Sequence, residues 1–132
     1  MITVTVGDYP GDYVAVCNVD ELVDGEAQVY KVGQYEVYVV FKDGEIRAYY
    51  GRCPHAFGEL APSDFDGEKI VCNVHQWEFE PLTGVSINPK GSRLFALKHE
   101  VRDGVLYVKV PKMPASEFKE KYFKMYGGEG HE

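Results

Sequence analysis

Alternation of apolar and polar positions is the first regularity along this chain. From Tyr35 to Tyr50 it reads YEVYVVFKDGEIRAYY, and from Leu94 to Val110 LFALKHEVRDGVLYVKV. Each stretch is a pair of period-2 runs around Asp-Gly, in which both residues tolerate positive φ and so favour a tight hairpin turn. Further short strands are predicted at YVAVCN (13–18) and AQVYKV (27–32), with one helical turn in VDELVDGE between them. Asp-Gly occurs four times, at 24–25, 43–44, 66–67 and 103–104. Many short strands with close turns predict an all-β protein, an antiparallel sandwich or barrel.

Two segments break the rhythm. The stretch from Cys53 to Pro89 holds Pro54, Pro62, Pro81 and Pro89, four of the seven prolines. It predicts a loop-rich insertion on the sheet scaffold, with KIVCNV and QWEFE forming a small hairpin inside it and Thr83-Gly84 a turn. Beyond Pro114, Phe118, Tyr122, Met125 and Tyr126 recur at helical spacing. Ser116 is placed to cap that helix and Gly127-Gly128 to stop it, and the apolar stripe predicts packing on the body. The expected division is a domain over 1–112, with the insertion at about 52–91, followed by a helical extension and tail over 113–132.

At 132 residues the chain suits one domain with a real core. A hydrophobic content of 45%, with ten tyrosines and seven phenylalanines, argues against disorder over most of it. A net charge of −7 disfavours nucleic acid and anionic membranes and suits a protein partner with a basic face. The N-terminal MITVTVGDYPGDY has neither a basic nor an apolar leader region. The longest strongly apolar run, VYVVF, is far short of the ~20 residues that span a bilayer. A cytoplasmic protein is expected, and its three cysteines then point to metal rather than to disulfides.

The candidate ligands come in two unequal half-sites: Cys53-x-His55, a gap of sixteen residues, then Cys72-x-x-His75. Two thiolates and two imidazoles satisfy either one tetrahedral zinc or one [2Fe-2S] cluster. Zinc fingers usually pair cysteine with cysteine and histidine with histidine. Here each half-site carries one of each. If the two loops face one another across a two-iron cluster, both cysteines can lie on one iron and both histidines on the other. Neutral imidazoles in place of two thiolates make the cluster less negative. They raise its potential into the range of roughly −150 to +300 mV, against about −400 mV for all-cysteine plant-type clusters.

CPH, the gap and CNVH resemble the ligand motif of Rieske proteins, and the flanking DGEIRAYYGRCPH and HQWEFEPLTG resemble Rieske ferredoxins. The resemblance runs from about Tyr13 to Val110. It implies a Rieske fold, a basal antiparallel sandwich or barrel carrying a cluster-binding subdomain. One [2Fe-2S] cluster is implied, with Cys53 and Cys72 on one iron and His55 and His75 on the other. High-potential respiratory members clamp the two loops with a disulfide, where this chain has Gly58 and Val74. They also place hydroxyls near cluster sulfur where it has Trp77 and Phe79. Fewer hydrogen bonds to sulfur imply a potential at the low end of the Rieske range.

Terminal Rieske oxygenases add a second iron site, but only His99 and His131 follow the motif here, and both read as surface residues. HQWEFEPLTGVSINP resembles the ferredoxin components of toluene-type diiron monooxygenases more than those of ring-hydroxylating dioxygenases. The implied function is a soluble one-electron carrier between an NAD(P)H-dependent flavin reductase and a terminal oxygenase acting on aromatics or alkenes. With no nucleophile–base pair or phosphate loop, the chain is not expected to be an enzyme by itself. A tightly bound Rieske subunit of another oxidoreductase and a structural zinc-binding interaction module are the alternatives.

Around the ligands, Trp77 is expected to pack beneath the cluster, Phe57 and Phe79 to shield it, and Pro54 to stiffen the first loop. INPKG (87–91) suits a third, covering loop. Cys17, in an alternating strand, reads as a buried thiol rather than a ligand. Glu59, Asp64 and Glu78 suit either a docking rim for a basic partner or a merely solvated edge.

Overall fold

The computed structural model describes residues 9–54, 58–73, 76–88 and 90–120. Within them the strands are β1 Gly11–Asn18, β2 Glu26–Val32, β3 Tyr35–Lys42, β4 Glu45–Tyr50, β5 Ile70–Val71, β6 Glu78–Phe79, β7 Ser86–Asn88, β8 His99–Arg102 and β9 Val105–Pro111. One short helix, α1, spans Ala115–Phe118. They form three antiparallel sheets of three strands, ordered β1-β9-β8, β2-β3-β4 and β5-β6-β7. The all-β expectation holds, and β5-β6-β7 is the small sheet of the proline-rich insertion.

β3 explains how the sheets are layered. Its first six residues, Tyr35 to Val40, are all buried, so period-2 geometry must send them to two different cores. Tyr35, Val37 and Val39 join a basal core with Ala48, Tyr50, Phe95, Leu97, Leu106 and Val108. Tyr38 and Val40 join a second core with Tyr49, Leu60, Phe65, Ile70, Trp77, Phe79 and Leu94. The sheet β2-β3-β4 is therefore a shared wall between the basal core and the core under the insertion.

Two of the four Asp-Gly pairs are the expected hairpin turns. Asp43 and Gly44 join β3 to β4 at φ 55° and 79°, and Asp103 and Gly104 join β8 to β9 at φ 51° and 77°. The other two do different work. Asp24 accepts the backbone N–H of Asp43 (3.0 Å) and Gly44 (2.8 Å), bracing the turn from across the sheet. Asp66 accepts the N–H groups of Lys69 and Glu68, and those bonds hold its carboxyl below the usual range. The β2–β3 hairpin turns on Gly33-Gln34, with Gly33 at φ 61°.

The apolar run from Leu94 does not begin β8. It hydrogen-bonds β4 instead, Tyr50 N–H to Phe95 O (2.8 Å) and Leu97 N–H to Ala48 O (2.9 Å), and so joins the shared wall to β8. The helix also starts earlier than its sequence suggests. Ser116 lies inside it, and Pro114 holds the cap position with φ −59°. A distant side chain takes the capping role, the Gln34 amide oxygen accepting the Ala115 N–H at 2.8 Å. Tyr122, Met125, Tyr126 and the stop at Gly127-Gly128 lie outside the described residues.

Candidate metal centre

Both predicted cysteine ligands are buried, Cys53 at 0% and Cys72 at 1% exposure, and both belong to the second core. Main-chain hydrogen bonds pin each of them. The Cys53 N–H donates to Gly58 O (2.9 Å), and just outside it Leu60 N–H donates to Gly51 O (3.0 Å). In the second half-site Cys72 N–H donates to Trp77 O (2.8 Å) and Gln76 N–H to Cys72 O (2.8 Å). Gln76 adopts φ 61°, a left-handed conformation that costs a non-glycine residue roughly 1–2 kcal/mol. His55, Phe57, Val74, His75 and Pro89 lie outside the described residues, as does His131.

The surroundings suit a soft metal group. Two thiols share a core whose other members are aliphatic or aromatic, among them Leu60, Phe65, Ile70 and Phe79 at 6% exposure or less. Trp77, at 9%, packs in the same core. Thiolate ligands in a largely apolar pocket are the chemistry that iron–sulfur clusters use. Cys17 belongs to the basal core, where burial pushes its thiol pKa up, so the structure keeps it apart from the other two cysteines.

Side chains from the shared wall tie down the segments that follow the two buried cysteines. Tyr38 OH donates to Ala61 O (2.9 Å) and Tyr49 OH to Pro81 O (2.7 Å). Burial raises both phenol pKa values, so each keeps its proton and its bond. Beside Cys53, Arg52 meets the buried Glu36 of β3 through two bonds of 3.1 Å, a bidentate pair that pushes the guanidinium pKa up still further. Arg52 also reaches Glu59 at 3.5 Å. Sequence periodicity placed Tyr38 and Tyr49 on strands but gave no sign of these partners, which are 23 and 32 residues away.

The acidic residues near the motif are largely engaged. Asp64 accepts Ala61 N–H (2.9 Å) and the Asn73 amide (2.7 Å), and Glu78 pairs with Lys69 at 3.2 Å. His99 is half-buried rather than a surface residue. It is hydrogen-bonded to backbone at Leu97 and Ile46, and burial lowers its pKa.

The model of the Rieske [2Fe-2S] domain family matches residues 12–98. The chain belongs to this family. Such a domain carries one Rieske-type [2Fe-2S] cluster. The ferredoxin component of the alkene monooxygenase system of Xanthobacter autotrophicus is 35% identical over 78% of this chain and 85% of its own length. The ferredoxin component of the naphthalene 1,2-dioxygenase/salicylate 5-hydroxylase systems of a Ralstonia species is 29% identical over 55% of this chain and 69% of its own. Among solved structures, the complex of reduced oxygenase and oxidized ferredoxin in carbazole 1,9a-dioxygenase matches with a TM-score of 0.62 at 25% identity. That match covers 76% of this chain and 95% of the other. This Rieske protein is therefore a ferredoxin of the kind that serves oxygenase systems, an electron carrier rather than a catalyst. The zinc-module alternative falls with the family.

Proposed function

We propose that Cys53 and Cys72 hold one iron and His55 and His75 the other, and that the protein passes single electrons from an NAD(P)H-dependent flavin reductase to a terminal oxygenase in the cytoplasm. When bound, the cluster supplies one-electron chemistry at a single centre. The observation that carries the ligand assignment is the burial of Cys53 and Cys72 together in one core, at 0% and 1% exposure, although they lie nineteen positions apart in the chain. The protein's own part is to fix the backbone of the two cysteines through their N–H bonds to Gly58 O and Trp77 O, and to exclude water from the thiols with Leu60, Phe65 and Phe79. The proposed cluster-binding subdomain is about 52–91 within a domain of 1–112, with 113–132 as an extension.

The aromatic or alkene monooxygenase branch is supported by the Xanthobacter relative, which is named for an alkene monooxygenase system. Two results test the proposal. His75→Cys is expected to lose the cluster or shift the potential toward about −400 mV, the value of all-cysteine plant-type clusters; an unchanged potential and spectrum would refute the ligand assignment. In anaerobic rapid mixing, the reduced protein is expected to be oxidised by an alkene monooxygenase terminal component. Reoxidation no faster than in buffer would remove that partner.

A further inference from the structure

Among the described residues, a side chain beside the second half-site is bonded to the segment that follows the first. Asn73 follows Cys72 directly, and its amide nitrogen donates to Asp64 Oδ2 at 2.7 Å and to the Glu59 carbonyl at 3.3 Å. Asp64 Oδ2 also accepts Ala61 N–H at 2.9 Å, within the short turn Pro62–Asp64. That segment is not itself loose. Ala61 O is held by Tyr38 OH from β3, and Glu59 by Arg52, which is anchored in turn on Glu36. A continuous set of bonds therefore runs from β3 through the strand-like end of the first half-site to the residue beside the second cysteine.

We infer that Asn73 and Asp64 form a polar clasp that holds the two ligand-bearing loops in register, the task a disulfide would perform. Gly58 and Val74 offer no thiols for a covalent link. Asn73 is suited to the task because it carries two N–H donors on one planar group, and the structure supplies an acceptor for each. One acceptor is ionised, which strengthens that bond over a neutral one. Because Asn73 is exposed, water competes and the clasp is modest in strength. Such a tie sets how far the loops part rather than whether they fold. Asn73 is thus a positioning residue, acting on the cluster through Cys72 and His75. The inference rests on the ligand assignment proposed above.

The experiment uses the full-length, cluster-loaded protein and its variants Asn73→Ala, Asp64→Ala, the double variant and Asp64→Asn. Iron is quantified, the reduced EPR signal is recorded, and loss of visible absorbance is followed in the presence of a chelator. Each single alanine variant is expected to lose its cluster about three to ten times faster than wild type, the factor that one exposed hydrogen bond supplies. Their EPR lines should broaden as the loops sample more arrangements. The double variant should fall short of the product of the single effects, since both singles remove the shared Asn73–Asp64 bond, although each also removes one of its own, to Glu59 O and from Ala61 N–H. Asp64→Asn keeps an acceptor and should fall between wild type and Asp64→Ala. Wild-type rates in Asn73→Ala, or a double variant showing the product of the single effects, would overturn the clasp while leaving the ligand assignment standing. A wild-type protein without the Rieske signal would overturn both.

Discussion

The two cores of this protein are built by opposite means. The basal core lies between long strands in regular register: β2 and β3 pair over seven residues, and β1 and β9 run together from Gly11 to Asn18 with one bulge at Ala15/Cys17. The core under the insertion is roofed by β5 and β6 of two residues each and β7 of three. Strands that short supply few ladder bonds, so side chains and turns must satisfy the backbone instead. Tyr38, Tyr49, Arg47 and Asp66 do so, each bonding main-chain groups of the insertion. The first core is held by topology and the second by point contacts. A structure of the second kind suits a metal group that contributes part of its stability, because binding free energy then becomes local folding free energy.

Removing the iron should break the symmetry between the cores most severely. In hydrogen exchange, the amides of Cys53, Cys72 and Gln76 are expected to exchange at least about a hundredfold faster in the iron-free protein, while those of β2 and β3 keep their protection. Equal loss in both regions would mean that they unfold as one unit.

Phe118→Ala should strike the other side. Phe118 is fully buried and meets Phe95, Tyr50, Tyr35 and Tyr9 edge-on, at centroid distances of 4.9, 5.4, 5.6 and 6.3 Å. Its truncation is expected to cost about 3–5 kcal/mol in denaturant unfolding while leaving the cluster's spectrum unchanged. A spectral change would show the cores to be coupled through β3.

A smaller effect should follow Tyr49→Phe, which leaves the Pro81 carbonyl without its buried donor. A cost of about 1–3 kcal/mol is expected, accompanied by faster cluster loss. Stability loss without any change in cluster retention would show that the Tyr49–Pro81 bond does not support the cluster.

The smallest effect concerns pH. Burial lowers the pKa of His99 beneath its ordinary value of 6.5, so the folded protein binds that proton less readily than the unfolded chain does. Its contribution is complete above 6.5 and is lost as pH falls from there through the lowered folded value, the interval in which only the unfolded state is protonated. His99→Gln should flatten the pH dependence of thermal unfolding in that window. An unchanged slope would assign the dependence to other groups.

The same contrast explains what was legible in advance. Period-2 alternation and Asp-Gly turns located β1 to β4 and the β8–β9 hairpin, because regular ladders repeat a local pattern that the chain displays. Motif spacing singled out Cys53 and Cys72, which the structure buries together in one core while Cys17 lies in the other. The ties that root the insertion were not legible. Tyr38 to Ala61, Tyr49 to Pro81 and Asn73 to Asp64 join residues through geometry that only the folded sheet creates. The misplaced helix start has the same origin, since Gln34 caps Ala115 from 81 residues away.

The most direct test of the ligand assignment is an EPR spectrum of the purified protein before and after dithionite, with iron and zinc quantified on the same sample. A silent oxidised state, a Rieske-type signal on reduction and two irons per chain are expected from one [2Fe-2S] cluster with mixed cysteine and histidine ligation. Zinc in place of iron, or a reduced signal of the all-cysteine type, would contradict it.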